Sequence, residues 1–564
     1  MRLRRGAEKV ARECPHLVGF TFTTMTNPFC DSTALPVIDL FAGPGGLGEG
    51  FAAFRVGDSQ RFDVRLSIEK DAVACATLTL RKLFRQFEKP PRVLRAYFAG
   101  KAPLSEVLSA HPIQAERARE AVWQAELGRV SPSAVASRVR DQLGRACEWV
   151  LLGGPPCQAY SIAGRSRMRT TRSDFERDER HFLYREYLRI VAAHEPAVFV
   201  LENVKGLLTS RHGGSRIVTR ILDDLSSPGK AIGAGSRDSR SYRLYALGQR
   251  QATLPWVEED PQDGEEYLVK AEEFGIPQTR HRIFIVGVRS DIPGRPSALH
   301  RLPPVSAGSV LSDLPAIRSR LSREEDSLDS WRQAVKAIRG YDWMSDPKFA
   351  VTAKEVRRAL ADLGHTPLEP GAAYVHHDGA PVTLASWYRH NADGLTHHES
   401  RAHMRSDLHR YMFAAVFGKL QSRSPEIQDF PRELRPAHNN ISKALDSGEM
   451  FNDRFRVQLQ DRPSTTITSH IHKDGHYYIH YDPLQCRSLT VREAARLQTF
   501  PDNYYFEGSR TDQYHQIGNA VPPLLAREIA RIVHDLLLSA DRIGKPAKVR
   551  NVPRLDFPDN HTAA

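Results

Sequence analysis

Cys157 stands in the run Gly153-Gly154-Pro155-Pro156-Cys157-Gln158-Ala159-Tyr160-Ser161, directly after the apolar stretch Trp149-Val150-Leu151-Leu152. A strand that ends in Gly-Gly-Pro-Pro and then presents one cysteine holds a sulfur at the lip of a sheet. Glu202-Asn203-Val204 closes a second apolar strand, Ala197–Leu201. Ligands of open α/β sheets bind at the carboxyl ends of the strands. The pair therefore points to a covalent attack by sulfur assisted by a carboxyl acid. A free thiol with a pKa of about 8.5 is only a few per cent ionised at neutral pH, so such a site must lower that value or take the proton. The competing reading is a buried structural thiol, the commonest fate of a lone cysteine. The Gly-Pro frame and the polar residues after Cys157 speak against it. Beyond them a loop carries Arg165, Arg167, Arg169 and Arg172, which suits phosphate contacts. Asp174, Glu176, Asp178 and Glu179 further on keep open its reading as a solvated surface segment.

A second group of residues reads as a nucleoside site. Asp39-Leu40-Phe41-Ala42-Gly43-Pro44-Gly45-Gly46-Leu47-Gly48 follows an apolar strand. Glycines here allow positive φ and a close approach of backbone to a ligand, although plain tight turns use them too. Glu69, at the tip of the next strand, is placed to accept hydrogen bonds from ribose hydroxyls. The spacing differs from Gly-x-Gly-x-x-Gly, and the Phe41 ring can lie against a purine. A nucleoside cofactor without a pyrophosphate fits better than a dinucleotide.

The elements that must hold these groups alternate along the chain. Strands are predicted at residues 35–41, 65–68, 149–152, 197–201 and 283–288, with helices at 72–84 and 182–193. Such alternation predicts an α/β fold whose mostly parallel sheet is covered on both faces. From residue 292 to 455 the alternation is lost. Helical stretches at 356–363 and 400–420 mix there with Pro-, Gly- and His-rich polar segments. Regular structure returns after 456, with helices at 490–497 and from 523 to about 538. The expected organisation is a basic lead-in (1–33), a first part of the main domain (34–291), an inserted domain (292–455), a returning part (456–540) and a loose tail (541–564).

Length agrees, since 564 residues exceed one compact domain. A net charge of +12 favours a polyanionic partner such as nucleic acid. Cys14, Cys30, Cys75, Cys147, Cys157 and Cys486 include no Cys-x-x-Cys pair, which argues against a disulfide framework and a four-thiolate zinc site. His397, His398 and His403 lack metal-ligand spacing with any cysteine, so no metal is expected. No secretory signal and no apolar run of the ~18 residues needed to span a membrane are visible. A soluble cytoplasmic protein is expected.

Taken in order, Asp39–Gly48, Glu69, Pro155-Pro156-Cys157-Gln158, Glu202-Asn203-Val204, Gln278-Thr279-Arg280-His281-Arg282 and Gly518-Asn519-Ala520-Val521 resemble the motif set of the DNA cytosine-5 methyltransferases. The resemblance spans roughly residues 35–290 and 455–535. It implies a Rossmann-like fold that uses S-adenosylmethionine, with a smaller target-recognition domain inserted between Arg289 and Arg462. It implies that Cys157 adds to C6 of a flipped-out cytosine, that Glu202 contacts N3 and the exocyclic amine, and that Arg282, with Arg280, holds the base carbonyl and the loop geometry. Phe41, Gly43, Gly45, Gly46, Glu69, Pro156, Leu183, Asn519 and Val521 would line the cofactor site. Gln158, Ser161, Arg165 and Gln278 would meet DNA, and the arginine-rich loop would close as a lid.

Two departures stand out. Where the family carries an acidic residue after the third strand, Val93-Leu94-Arg95-Ala96-Tyr97-Phe98 offers Tyr97. An acidic insertion at residues 255–266 is expected to be a surface loop facing away from DNA. Arg401, His403, Arg405, His409 and Arg410 read either as phosphate contacts or as a solvated helix face. The resemblance implies sequence-specific methylation of double-stranded DNA by a prokaryotic, nucleoid-associated enzyme, monomeric on DNA, that marks self DNA in restriction–modification or anti-phage defence beside a separate nuclease. The alternatives are a tRNA cytosine-5 methyltransferase and a non-catalytic DNA-binding protein on the same scaffold.

Overall fold

The computed structural model describes residues 34–156, 180–212, 215–233, 240–248, 264–363, 369–376, 379–436, 454–473 and 475–539. Eight strands form its main sheet: β1 (Leu35–Leu40), β2 (Phe62–Glu69), β3 (Val122–Gln124), β4 (Val150–Gly153), β5 (Val198–Val204), β6 (Tyr242–Ala246), β7 (Leu268–Lys270) and β8 (His281–Arg289). Their order is β6-β8-β5-β4-β1-β2-β3, with β7 also paired to β8. Strands β5, β4, β1, β2 and β3 run parallel, whereas β8 is antiparallel to β5, β6 and β7. The mostly parallel α/β sheet is thus present. Strand β3 and strands β6 and β7, each paired antiparallel to β8, were not anticipated, because each is short and lacks a strong apolar run.

All six residues of β1 are buried, as expected of a central strand covered on both faces. Side chains alternate between two cores. Val37, Val64, Leu152, Val200 and Phe284 point to one face, and Ile38, Leu66, Leu151, Phe199 and Ile285 to the other. The first face is covered by α1 (Gly46–Ala53), the second by residues of α3 (Arg180–His194) such as Tyr187 and Val191. Helix α2 (Ala72–Phe84) begins at Asp71, whose side chain accepts the Ala74 amide.

A further core gathers around Trp331, Trp343, Met412 and Phe413, supplied by α4 (Leu328–Lys336), α5 (Ala350–Asp362) and α6 (Arg405–Gln421). Helix α6 is buried nearly all round. Its basic residues and those just before it divide: Arg405 is exposed and pairs with Glu324 at 2.8 Å, as on a solvated face, while the others turn inward. Arg401 donates to Ile471 O at 2.5 Å and lies 4.1 Å from the Tyr514 ring centre, Arg410 donates to Leu434 O at 2.8 Å, and His403 and His409 are buried. These groups tie the interior together instead of facing phosphate or water.

The chain then returns to the sheet through α7 (Val491–Leu497), α8 (Arg510–Asn519) and α9 (Pro523–Ser539). Helix α9 shares the core of α1, and two of the three glycines of α1 explain how closely the returning segment is seated. A Cβ on Gly46 would lie 2.2 Å from Val521 O, and one on Gly50 would lie 2.4 Å from the Ala526 Cβ. On α7, Arg496 pairs with Asp313 and Asp502 while fully buried, joining three separate segments. Among the described residues, no helix is long and apolar enough to cross a membrane.

Candidate active site

The turn between β1 and α1 is built from left-handed residues: Phe41 at φ 54°, Gly43 at φ 54° and Gly45 at φ 91°. Glu69, at the end of β2, accepts the Gly43 amide at 2.8 Å on one carboxylate oxygen. The other oxygen accepts the Lys70 and Asp71 amides at 2.8 and 2.9 Å. The carboxylate therefore locks the turn and remains partly exposed beside it. A Cβ built on Gly43 meets nothing within 4 Å, whereas one on Gly45 would lie 2.7 Å from Leu78 and one on Gly46 would strike Val521. Of the three, Gly43 opens onto free space, and Gly45 and Gly46 are required by packing. The free space at Gly43, beside the partly exposed Glu69 carboxylate and the half-buried Phe41, leaves room for a ligand at this turn. Asn519 is exposed, with its amide 3.4 Å from the His515 ring, and half-buried Leu183 packs toward Gly128 beyond β3.

Glu202 and Arg282 form the charged centre of the neighbouring edge. Strands β5 and β8 bring them together, and Arg282 Nε lies 3.1 Å from Glu202 Oε1 with the side chains 18% and 14% exposed. Burial lowers the Arg282 pKa, and the Glu202 charge opposes that shift. The second carboxylate oxygen of Glu202 lies 2.9 Å from where a Gly154 Cβ would stand, so a glycine there lets the carboxylate reach the end of β4. Asn203 donates to the Pro155 carbonyl at 3.2 Å. Pro156 follows, half-buried. Cys157, Gln158, Ser161 and Arg165 lie outside the described residues.

Arg280 and Gln278 sit elsewhere than expected. Arg280 is buried and donates to Ile467 O at 3.0 Å and to Gly518 O at 3.3 Å. It fastens the Gly518–Val521 segment to β8, which is the loop-holding part of its expected role. Gln278 is 0% exposed, its amide donating to Leu497 O at 2.9 Å and its carbonyl accepting from Ile467 N at 3.0 Å. The expected DNA contact of Gln278 is therefore corrected, because both ends of its side chain are used inside the fold.

Tyr97 needs a similar correction. Residues Arg92–Phe98 form a helix, and the Tyr97 hydroxyl donates to Glu507 at 2.7 Å. The third strand is instead Val122–Gln124, and the acidic residue just beyond it is Glu126, about 40% exposed. Sequence reading missed it because the strand is only three residues long.

Three supporting residues, Asn203, Gly154 and Asp39, stand in the motifs quoted from the sequence but were given no role of their own there. Asp39 is 1% exposed under α1, and burial raises its carboxyl to about 7 against the opposing pull of Lys82. Among the described residues, no group of three or more His, Cys, Asp or Glu side chains is placed to hold a metal ion.

Against this geometry stand the similarities to known proteins. A family model for C-5 cytosine-specific DNA methylase matches residues 145–231 and 264–534. Type II methyltransferase M.Bpa9945I of Bacillus paralicheniformis is 30% identical over 528 residues, covering 89% of this chain and 99% of that protein. Type II methyltransferase M.AgeI of Thalassovita gelatinovora is 28% identical over 442 residues, covering 70% and 85%. DNA (cytosine-5-)-methyltransferase M.ApeKI of Aeropyrum pernix is 26% identical over 427 residues, covering 69% and 81%.

Proposed function

Because this chain belongs to the C-5 cytosine-specific DNA methylases and is thereby a DNA (cytosine-5-)-methyltransferase, we propose that it methylates C5 of cytosine at a specific sequence in double-stranded DNA through a covalent Cys157 adduct. The observation that carries this reading is the Glu202–Arg282 pair, set against Gly154 at the root of the Pro-Pro-Cys run and beside the glycine turn.

The reading assigns each group a task. Cytosine C5 is a poor nucleophile. Addition of the Cys157 sulfur to C6 pushes the C5=C6 π pair onto C5, while the Glu202 carboxyl, hydrogen-bonded at N3 and the exocyclic amine, holds the proton that neutralises the ring. Arg282 grips the base carbonyl and fixes Glu202. S-adenosylmethionine, the methyl donor implied by family and fold, supplies the electrophilic methyl group that C5 accepts once it carries that electron pair. A base then removes the C5 proton, the C5=C6 bond re-forms and the sulfur leaves. Phe41, Gly43, Glu69, Pro156, Leu183 and Asn519 would hold the donor, with Gly45, Gly46 and Val521 shaping the turn and Arg280 fixing the Gly518 segment. The target base must leave the duplex, at a cost of about a few kcal/mol.

Residues 292–455 would read base edges in the major groove, and Gln158, Ser161 and Arg165 would meet DNA. The type II methyltransferase names of the relatives support a role in marking self DNA beside a separate nuclease; on this reading the chain would act in the cytoplasm and as a monomer on DNA.

Bisulfite sequencing of DNA from cells expressing the wild-type chain or Cys157→Ser tests the reading. One motif protected at cytosine in the wild type and lost in C157S is the expected result. Protection that persists in C157S would overturn the adduct, and its absence in both would overturn the activity.

A further inference from the structure

The segment from Phe500 to Glu507 runs past the glycine turn although more than 450 residues separate them in sequence. Tyr504 sits at the point of contact. It is 1% exposed, and its hydroxyl donates to the carbonyl of Pro44. A Cβ on Gly45 would lie 3.1 Å from that hydroxyl oxygen, so the tyrosine presses on the tightest part of the turn.

The tyrosine is held at both ends. Arg492 donates to the Tyr504 carbonyl at 2.8 Å, to Pro501 O at 2.9 Å and to Thr396 O at 2.9 Å. The Arg81 guanidinium lies 4.8 Å from the centre of the Tyr504 ring, within cation–π reach. Arg81 is itself held by Glu49, at 2.5 and 2.9 Å, and by the Asn503 side chain at 3.0 Å. Burial raises the Tyr504 pKa, so the hydroxyl stays a donor at every working pH.

The turn is also restrained by its own hydrogen bonds, none of which fixes the Pro44 carbonyl. Gly45 N donates to Ala42 O at 2.8 Å, Ala42 N to Ile68 O at 3.2 Å and Gly43 N to Glu69. Left-handed glycines adopt alternative turns at little cost, and the direction of the Pro44 carbonyl selects among them. We propose that Tyr504 is a positioning residue for the cofactor turn, its hydroxyl drawing the Pro44 carbonyl into the protein and so fixing the Phe41–Gly45 backbone that faces the donor. The inference rests on the reading that this turn holds S-adenosylmethionine.

Tyr504→Phe in the full chain removes one oxygen and leaves the ring on Arg81. Titration calorimetry with S-adenosylmethionine, with steady-state kinetics on DNA, separates the outcomes. Loss of one ordering hydrogen bond predicts a rise of about tenfold in the donor Kd and KM. The value of kcat and the KM for DNA should change less than about twofold, since neither depends on ground-state donor binding. A purely structural strut would lower Tm and the active fraction while leaving the donor Kd of the folded protein intact, and that result overturns the proposal. Should Y504F fail to fold, Arg492→Lys, which loosens the grip on the Tyr504 carbonyl, must weaken donor binding, and unchanged affinity there overturns the proposal. Wild-type protein that binds no S-adenosylmethionine would instead overturn the assignment of the turn.

Discussion

The side-chain amide of Asn203 holds the carbonyl of Pro155 at 3.2 Å, while its own carbonyl accepts the Val204 amide at 2.8 Å. One residue thus joins the end of β5, where Glu202 projects, to the backbone two positions before Cys157. The carboxyl and the start of the sulfur-bearing segment share a single fixed frame.

Asn203→Ala removes that tie without touching Glu202 or Cys157. A displacement near 1 Å at a reacting group costs about 10²-fold in rate, so single-turnover methyl transfer should fall by roughly that factor. The loss of two hydrogen bonds should lower stability by about 1–3 kcal/mol in chemical denaturation. A variant that transfers methyl groups at the wild-type rate would contradict the shared frame.

Glu202→Gln keeps the shape but deprives Arg282 of its counter-charge and the base of its acid. General acid catalysis is worth about 10²–10⁴-fold, so kcat should drop within that range. DNA affinity, measured by fluorescence anisotropy, should stay within a few-fold, because the proposed mechanism sets the pair against the flipped base and not along the phosphates.

Gly43→Ala and Gly46→Ala separate the two duties of the turn. At Gly46 a methyl group would meet a backbone carbonyl at 2.2 Å, and such overpacking costs about 3 kcal/mol, visible as a marked fall in Tm. At Gly43 no atom is met, and the positive φ alone costs about 1–2 kcal/mol. G43A should therefore stay folded while binding S-adenosylmethionine more weakly.

Asp39→Asn addresses pH. The Asp39 carboxyl is raised by burial from 3.8 to about 7, so the folded state holds its proton more tightly than the unfolded chain. The stability linked to this group is complete below pH 4 and is lost as pH rises toward and through 7. Asparagine carries no such charge. The Tm of D39N minus that of the wild type should grow between pH 4 and 7 and level off above. A difference that stays constant across this window would mean that Asp39 titrates normally.

The sheet was legible because its central strands are short apolar runs ending in glycine, proline or a carboxylate, a pattern set by burial on both faces. Glu202 and Glu69 were legible because each closes such a run. Gln278, and the part of the expected role of Arg280 that goes beyond holding the loop, were misjudged for a different reason. A polar side chain on a strand looks the same in sequence whether it faces solvent or satisfies distant carbonyls, and here those carbonyls belong to Leu497, Ile467 and Gly518. The segment from Arg401 to Arg410 misled likewise, because buried histidines and half-buried arginines with internal partners (His403, His409, Arg401, Arg410) look the same in sequence as a solvated face. Glu126 stayed hidden because β3 is too short to show period-two patterning.

The close seating of Gly46 against Val521 also bears on how the protein is made. At roughly 5–20 residues per second, a ribosome that has finished α1 needs about half a minute or more to deliver the segment that closes over it. Throughout that interval the apolar flank of β1 and α1 is without its lid, so the nascent chain exposes that surface until the segment carrying Val521 and α9 emerges. Premature termination upstream of α9 would then release an aggregating fragment and not a smaller enzyme.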